Sequence, residues 1–265
     1  MKILVLHGSM RKGNTHKLTK QIIDRLLLKP NLELVEFNIS DLKPPFCVSC
    51  HACFKNGEEY CPNFEYIKDF SEALKNCDGV VLTATTYMWA INAATKNLLD
   101  HLSYNFHRPT FFGKKGMVVA TSAGNGEKSV VAYLKTVLGQ WGINGAITLT
   151  QNTKQRILLS EKKIAKSIDK AANKFYKQLT HKKFIKPTFK SIAVHNAFRC
   201  MSLSKFAEYE KDTEHWSKKE YNKAYPVKAG FFRYCTGAFV FSLAKVAVKV
   251  IGKKLSKQKK VEPIE

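Results

Sequence analysis

Two patterns of hydrophobic and polar residues alternate along the first 180 residues of the chain. Short apolar runs that end at glycine or polar residues predict buried strands at 2–6, 32–37, 79–84, 116–121 and 146–150. Between them, apolar residues recur at helical spacing and predict helices at 18–26, 66–74, 90–102, 130–138 and 161–179. This regular alternation predicts an α/β fold in which helices cover both faces of a parallel sheet.

The number of predicted strands also indicates how the sheet is ordered. Five parallel strands favour a doubly wound sheet in the order 2-1-3-4-5, which has a ligand crevice at the carboxyl ends of its central strands. The loops that follow Leu6, Ala84 and Ala120 begin at those ends. We therefore expect these three loops to line one binding site.

The alternation stops near residue 180. Residues 181–187 are basic and typical of a linker, and the rest of the chain is rich in lysine and aromatic residues. We predict a domain at 1–180 with a cysteine-rich insertion at 46–62, followed by a basic, mostly helical C-terminal extension at 181–265.

Charge is distributed unevenly between these two parts. The chain has 44 Lys and Arg against 21 Asp and Glu, a formal net charge of +23, and residues 151–265 carry most of the excess. The apolar content is that of a globular protein and excludes a disordered chain. No nucleic-acid recognition motif accompanies the charge, so we expect a solvated basic surface and no nucleic-acid partner.

The first loop, Gly8-Ser-Met-Arg-Lys-Gly-Asn-Thr15, is predicted to bind a phosphate. It lies between a strand and a helix, where free N–H groups and the helix dipole favour an anion. Ser9, Arg11, Asn14 and Thr15 add side-chain donors. The spacing differs from those of triphosphate and dinucleotide loops, so a phosphate monoester fits better. The alternative is an ordinary turn capped by Thr15.

This loop resembles the G-S-x-R-K-x-N-T loop of the NAD(P)H-dependent FMN reductases, a family of the flavodoxin-like superfamily. The segment Thr85-Thr-Tyr-Met-Trp89 is similar to the family's P-x-Y segment beside the isoalloxazine ring, with Thr85 in place of proline. Lys96 and Asp100 follow as in the family, whereas His101 replaces an arginine. Thr121-Ser-Ala-Gly124 is similar to the family's T-x-G-G turn, which contacts the polar edge of the ring.

The resemblance implies a flavodoxin-like fold and an enzyme that passes electrons from NAD(P)H through FMN to a quinone, a flavin or a redox protein. Its implied cofactor-binding residues are Ser9, Arg11, Asn14, Thr15, Thr86, Tyr87, Met88, Trp89, Thr121, Ser122, Ala123 and Gly124. No catalytic acid or base is required, because the cofactor supplies the chemistry. The alternative is a non-catalytic flavodoxin-like electron carrier or a membrane-associated binding protein.

Four cysteines form the pattern C-x2-C-x2-C-x7-C, at Cys47, Cys50, Cys53 and Cys61. Four closely spaced thiolates suit a [4Fe–4S] cluster, and iron–sulfur flavoproteins of the same superfamily carry a similar motif at the same place. Zinc, redox disulfides or a motif without metal remain as alternatives, and the first two would suit a zinc- or thiol-based sensor.

The segment 231–251 is apolar but contains Arg233, Lys245 and Lys249, and lysines follow it at 253, 254, 257, 259 and 260. The charges leave too short an uninterrupted core for a comfortable membrane span. We expect the segment to pack on the domain or to form a homodimer or higher oligomer, with peripheral contact with an anionic membrane as the alternative. Because Met1 to Leu6 leads directly into a strand, without a secretory signal, we expect a cytoplasmic protein.

Overall fold

The computed structural model describes residues 1–181, 183–205 and 207–258, without the side chains of residues 252–258. The lysines expected at 259 and 260 lie outside the described residues. The chain forms two compact units, the first comprising residues 1–50 and 61–185 and the second residues 51–60 and 186–265. The sequence-based division at residue 180 stays a prediction.

The first unit is built on a parallel sheet. Its strands are β1 (Lys2–His7), β2 (Glu33–Asn38), β3 (Gly79–Tyr87), β4 (Ala90–Ile91), β5 (Lys115–Ser122) and β6 (Ile147–Asn152). The five longer strands are parallel and lie in the order β2-β1-β3-β5-β6. This confirms the predicted order of the five parallel strands. The short β4, which the sequence did not predict, pairs antiparallel with β3.

Helices connect the strands and form most of the second unit. In the first unit they are α1 (Asn14–Leu27), α2 (Ile39–Leu42), α4 (Phe64–Asn76), α5 (Ala93–His101), α6 (Tyr104–His107), α7 (Glu127–Gln140), α8 (Thr153–Leu158) and α9 (Glu161–Thr180). In the second unit they are α3 (Ala52–Lys55), α10 (Phe189–Ser202), α11 (Glu210–Ser217) and α12 (Phe231–Gln258), with a 3₁₀ turn at Glu58–Tyr60.

The core of the first unit lies where α1 and α9 pack on one face of the sheet. Helical spacing gathers the apolar residues of each helix on one side, as the buried set Leu18, Ile22, Ile23 and Leu26 shows for α1. On α9, Phe175 is fully buried next to Gly79, where an added Cβ would lie 3.1 Å from the Phe175 ring. The apolar strands β1, β3 and β5 fill the rest of this core.

One predicted helix begins later than the sequence indicated. The helix expected over 90–102 starts at Ala93, and the residues before it form a hairpin of β3 and β4. Met88 and Trp89 both have positive φ, 47° and 64°, as a two-residue hairpin turn with the right twist requires. The turn lacks the glycine or asparagine that usually marks it, so the pattern did not reveal it.

The second unit contains the predicted helical extension. Trp216 of α11 and Ile192 of α10 are fully buried, and Trp216 contacts the ring of His195 at 4.7 Å between centroids. Helix α12 packs against α10 through Gly237, where an added Cβ would lie 2.8 Å from Asn196 Nδ2. This glycine therefore allows the two helices to approach closely.

Helix α12 is exposed along most of its length. Residues Phe231–Ile251 are long and apolar enough to cross a membrane, judged by length and composition alone, and only 6% of this stretch is buried. The sequence had argued against a span because of its charged residues. Length and composition therefore do not exclude a membrane span. The packing of α12 decides whether the helix spans a membrane or not.

Candidate functional site

The three predicted loops begin at the carboxyl ends of adjacent strands in the first unit. Residues 8–13 follow β1, the hairpin turn follows β3, and residues 123–126 follow β5. Gly8 is fixed at the start of the first loop, because its N–H donates to Thr83 Oγ1 (3.1 Å) and its carbonyl accepts from the side chains of Asn92 and Thr95. A Cβ at Gly8 would lie 1.9 Å from the carbonyl oxygen of Thr83, so only glycine fits there.

The loop after β1 leaves the start of α1 open to an anion. Gly13 is the N-cap residue, and no side chain caps the helix. The first N–H groups of a helix have no partner within it, so an uncapped end offers them to a ligand. Arg11 and Asn14 are exposed beside this end, whereas the Ser9 hydroxyl donates to the carbonyl of Arg11 at 2.8 Å.

Thr15 has a different position from the other predicted phosphate ligands. Its side chain is buried, and its hydroxyl lies 2.8 Å from Thr85 Oγ1 and 2.7 Å from Thr121 Oγ1. The hydroxyl therefore joins the ends of β3 and β5 to the first turn of α1. A contact between this hydroxyl and a phosphate stays a prediction.

Basic groups surround the open end of α1. Burial and the neighbouring His7 and Lys12 lower the pKa of His16, although Glu36 opposes this. The buried His7 ring lies 2.7 Å, Nε2 to Oε2, from Glu36. With Arg11, Lys12, Lys17 and Lys20 on the same loop and helix, the local charge favours an anionic ligand.

The hairpin presents three large exposed side chains. Tyr87, Met88 and Trp89 are all exposed, and Met88 is 95% accessible. Two consecutive non-glycine residues in the left-handed region are strained, and such strain is concentrated at functional sites. The hydroxyl oxygen of Thr86 is buried without a hydrogen-bond partner.

The loop after β5 is fixed by hydrogen bonds to a buried carboxylate. Ser122 donates to the buried carboxylate of Glu127 at 2.7 Å, and Asn152 donates to the same carboxylate at 3.2 Å. Burial raises the pKa of Glu127, but these hydrogen bonds outweigh it and lower the pKa overall. Thr121 and Ser122 are buried, whereas Ala123 and Gly124 are exposed. A Cβ at Gly124 would meet no atom within 4 Å, so the tip of the loop borders open space.

Gly126 brings the loop after β5 close to the hairpin. Its φ is +94°, and an added Cβ would lie 3.1 Å from both Thr86 Cγ2 and Trp89 Cα. Glycine is therefore required by conformation and by space. The sequence did not single out Gly126, nor Thr83, Asn92, Thr95 and Glu127; the serine- and glycine-rich turn after β5 was the only available signal for this group.

A cavity of about 540 Å³ lies beside two of the three loops. Met10 of the first loop and Tyr87 of the hairpin contribute to its wall, together with Phe46 and Ile39. The remaining lining residues are Lys43, Pro44, Asn92, Ala93, Ala94 and Asn97. Its wall is mainly apolar with a few amide groups, as is usual for sites that bind small organic molecules.

The predicted cysteine ligands are divided between the two units. Cys47, Cys50 and Cys61 belong to the first unit and Cys53 to the second, and none forms a disulfide. Burial raises the pKa of the Cys61 thiol, and charge on Cys50 and Cys47 acts in the same direction. Within residues 1–181, 183–205 and 207–258, no three or more His, Cys, Asp or Glu side chains are gathered to hold a metal ion.

Helix α5 fixes the segment that carries Cys47. Asn97 Nδ2 donates to the carbonyls of Pro44 (2.9 Å) and Pro45 (3.2 Å), and its Oδ1 accepts from the N–H of Cys47 (3.1 Å). One turn later, His101 Nε2 lies 2.8 Å from the Pro45 carbonyl. Since a carbonyl only accepts, this nitrogen carries the proton, and Nδ1 faces Cys61 Sγ at 3.7 Å.

Cys53 lies on α3 of the second unit, where His51 and Phe54 contact Tyr209. The Tyr209 hydroxyl lies 2.8 Å from His51 Nδ1, and its ring lies 5.3 Å from that of Phe54. These contacts explain why residues 51–60 group with the C-terminal extension rather than with the sheet.

The three loops at the carboxyl ends of β1, β3 and β5 form one site, which we call the strand-end site. Its residues fit FMN in several respects. The uncapped start of α1 and Arg11 suit a phosphate, the unpartnered Thr86 hydroxyl lies in the predicted ring region, and Gly124 borders open space. The four thiols have the right donor chemistry for an iron–sulfur cluster, but their described arrangement does not assemble the site.

Comparison with known proteins identifies a family for the sheet-containing part. The family described as NADPH-dependent FMN reductase matches residues 1–153. An iron–sulfur flavoprotein of Archaeoglobus fulgidus is 31% identical over 145 residues, which cover 54% of this chain and 64% of that protein. The chain thus spans just under two thirds of that relative.

Other similar proteins extend further along the chain. An iron–sulfur flavoprotein of Clostridioides difficile is 25% identical over 231 residues, covering 83% of this chain and 99% of the relative. Among solved structures, an azoreductase from Bacillus anthracis is 17% identical with a TM-score of 0.55, covering 67% of this chain and 99% of that one. The structural likeness supports the flavodoxin-like fold.

Proposed function

The chain belongs to the NADPH-dependent FMN reductase family and is an oxidoreductase, and from this basis we propose that its strand-end site binds FMN and serves NAD(P)H oxidation. The observation that carries the proposal is the uncapped start of α1 with Arg11 beside it, adjacent to the hairpin and the loop after β5. Membership of a reductase family argues against the alternative of a non-catalytic carrier.

When bound, FMN supplies a ring that takes a hydride (two electrons and one proton) from NAD(P)H, leaving NAD(P)⁺, and that later returns two electrons to an acceptor. The protein supplies binding and orientation. In the proposal, the N–H groups at the start of α1, with Ser9, Arg11 and Asn14, hold the phosphate. Thr15 links the three loops, because its hydroxyl contacts those of Thr85 and Thr121.

The hairpin and the loop after β5 would hold the ring. Tyr87, Met88 and Trp89 provide apolar surface that excludes water, and Thr86 provides a hydroxyl. Thr121, Ser122, Ala123 and Gly124 would line the polar edge of the ring, with Glu127 holding Ser122 in place. A structured wall of this kind sets the orientation of a cofactor before any reaction takes place.

The electron acceptor is proposed to be a largely apolar aromatic molecule such as a quinone or a second flavin. The support is the cavity beside Met10, Phe46 and Tyr87, whose wall is mainly apolar. A redox protein is the alternative acceptor, because the exposed hairpin also offers a contact surface. Steady-state rates with a quinone and with a protein acceptor, at equal NADPH, distinguish the two.

We further propose that Cys47, Cys50, Cys53 and Cys61 ligate a [4Fe–4S] cluster, which would require the four thiols to gather from their described positions. Two similar proteins are called iron–sulfur flavoproteins, and the spacing of the four thiols agrees with such a ligand set. Oligomeric state and location stay predictions, namely a homodimer or higher oligomer in the cytoplasm.

Flavin titration of the full chain tests the phosphate site. We expect Arg11→Ala to raise the Kd for FMN by about tenfold or more, because a hydrogen bond between charged groups contributes about 1.5–3 kcal/mol. Lys12→Ala is the matched control, since it removes an equal charge from the same loop but no predicted ligand. Equal effects of the two variants, or an unchanged Kd for Arg11→Ala, would contradict the assignment.

Iron and acid-labile sulfide analysis after purification without oxygen tests the cysteine proposal. We expect about four irons per chain, and we expect Cys47→Ser to lower that content while Cys235→Ser, at an exposed cysteine of α12, leaves it unchanged. Zinc in place of iron, or no metal with normal FMN binding, would reject the cluster and leave the flavin proposal standing.

A further inference from the structure

Helix α12 has one packed side and one uncovered side. The side that faces α10 contains Gly237, which is buried, and Phe241, whose ring lies 3.9 Å from the Arg199 guanidinium carbon. The opposite side carries large apolar residues that are each more than half exposed, namely Phe232, Phe239, Leu243, Val246 and Val250. We refer to these five residues as the apolar stripe.

The spacing of the apolar stripe shows that it is one continuous surface. Its members follow one another at intervals of seven, four, three and four residues, which places them along one face of an α-helix. The smaller residues Cys235, Thr236 and Ser242 lie on the same face, and Lys249, three residues after Val246, borders it. A surface of this kind is larger than the scattered exposed apolar residues of ordinary proteins.

Lysines of α12 lie between the apolar stripe and the side that packs on α10. A cavity of about 170 Å³ between the end of α10 and α12 is lined by Lys205, Lys245 and Lys249 together with apolar side chains such as Leu203 and Val248. Lys245 Nζ lies 4.8 Å from the centre of the Phe241 ring. The chain continues with Lys253, Lys254 and Lys257, and residues 231–258 contain no acidic residue.

We propose that α12 lies in the interface of an anionic lipid bilayer, with the apolar stripe at the acyl-chain boundary and its lysines at the headgroup phosphates. An apolar face bordered by basic side chains is what such an interface binds. The cavity lined by Lys205, Lys245 and Lys249 is placed to receive a headgroup phosphate. This inference is independent of the flavin site.

The packing of α12 distinguishes an interfacial helix from a spanning one. Gly237 and Phe241 lie against α10, whose buried residues include His195, Asn196 and Arg199. A spanning α12 would either lose this packing or carry those polar groups into the hydrocarbon, and both are costly. An interfacial helix keeps the packed side on the protein and the stripe on the lipid.

Charge favours a bilayer over a second copy of the chain. A second α12 brings apolar surface but no acidic group to meet the lysines, because α12 has none. An anionic bilayer supplies both an apolar layer and negative headgroups. The two occupants therefore differ in whether binding depends on the charge of the lipid.

Flotation of the full chain with vesicles tests the proposal. We expect binding to phosphatidylcholine vesicles in which about a third of the lipid is phosphatidylglycerol, and at least about tenfold weaker partitioning to pure phosphatidylcholine. Raising NaCl from about 0.1 M to about 0.5 M should release the protein, because the lysine contribution is screened. Equal binding to both vesicles, or none to either, would overturn the proposal.

Paired substitutions separate the two parts of the surface. Phe239→Glu with Leu243→Glu should abolish vesicle binding, and Lys245→Glu with Lys249→Glu should remove the preference for anionic lipid. Lys166→Glu with Lys170→Glu, on exposed positions of α9, makes the same change in net charge and should bind nearly as the parent does. If this control loses vesicle binding equally, the effect comes from net charge alone and the α12 site is rejected.

Two further results would also overturn the proposal. Vesicle-bound protein that resists both high salt and alkaline carbonate would indicate a spanning helix. A dimer that Phe239→Glu with Leu243→Glu dissociates, without any vesicle binding by the parent, would assign the stripe to a second copy. Circular dichroism of each variant establishes that it is folded before it is scored.

Discussion

Helices α9 and α12 are both long, lysine-rich and close to the end of their unit, yet they differ in how much of them is covered. Helix α9 buries Ile168, Ala171, Ala172 and Phe175 against the sheet. Among residues 231–251 of α12, only Gly237 is buried. A high apolar content therefore does not place a helix in a core; the arrangement of the apolar residues around its axis does.

The difference follows from where the lysines lie. On α9 the lysines alternate with the apolar residues so that one face is apolar and the rest charged, which suits one sheet face on one side and water on the other. On α12 apolar residues surround most of the axis, and α10 covers one side only. The uncovered remainder includes the apolar stripe.

The largest expected effect is a contrast in stability between two phenylalanines. Phe175→Ala in α9 should lower the free energy of unfolding by about 3–5 kcal/mol, because it leaves a cavity in the core. Phe239→Ala in α12 should change it by less than about 0.5 kcal/mol, because this side chain is already exposed. Urea denaturation of both variants checks the contrast, and similar losses would contradict it.

A smaller effect is expected on the packed side of α12. Gly237→Val should lower the free energy of unfolding by about 1–3 kcal/mol, because the new side chain would overlap Asn196 and Ile192 of α10. Ala238→Val, one residue further along and exposed, is the control with the same new side chain. Helix propensity favours valine over glycine but not over alanine, so a loss at Gly237 no larger than the loss at Ala238 would contradict the packing explanation.

The third prediction concerns pH and the second unit. Burial lowers the pKa of His195 to about 3, with Arg199 and His215 acting in the same direction and a hydrogen bond to the Lys223 carbonyl opposing them. Above its unfolded pKa, about 6.5, the group has no effect; as the pH falls, the unfolded state takes up a proton that the folded state does not, so stability is lost between about pH 6.5 and 3. At pH 5.5 the loss should be about 1.4 kcal/mol.

Comparing the parent with His195→Phe isolates this histidine. From pH 7.5 to 5.5 the free energy of unfolding of the parent should fall by about 1.4 kcal/mol more than that of His195→Phe. Urea denaturation of both proteins at both pH values measures this. A difference that does not change with pH would mean that His195 has the same pKa in the folded and unfolded states. We expect no comparable pH-dependent loss of stability from the core beneath α9, because its buried residues are apolar.

Much of the first unit could be predicted from sequence because its strands are short apolar runs and its helices are amphipathic. The order of the five parallel strands, and the meeting of the loops after Leu6, Ala84 and Ala120 at one edge, followed from that pattern. The hairpin at Met88 and Trp89 did not, because its turn uses positive φ at residues that rarely adopt it. Its apolar residues instead resembled the start of a helix.

The supporting residues of the site could not be found in the same way. Thr83, Thr95 and Asn92 act on Gly8 across distant parts of the chain, and Glu127 supports Ser122 from the next helix. Local patterns carry no sign of such contacts. The enzyme class and the FMN reductase family followed from the motif resemblance and are confirmed by the family match, whereas the ligand roles of the individual residues stay predictions.

The contacts of Asn97 and His101 have a thermodynamic consequence for the segment Pro44–Cys47. Residues 43–51 form no helix or strand, and α5 supplies hydrogen bonds to Pro44, Pro45 and Cys47. The order of this segment is therefore linked to that of α5, and the two should open together in amide hydrogen exchange. A ligand that binds Cys47 only while this segment is ordered would therefore also slow amide exchange in α5. Exchange measured in the helix would then detect a ligand that is bound to the surface loop.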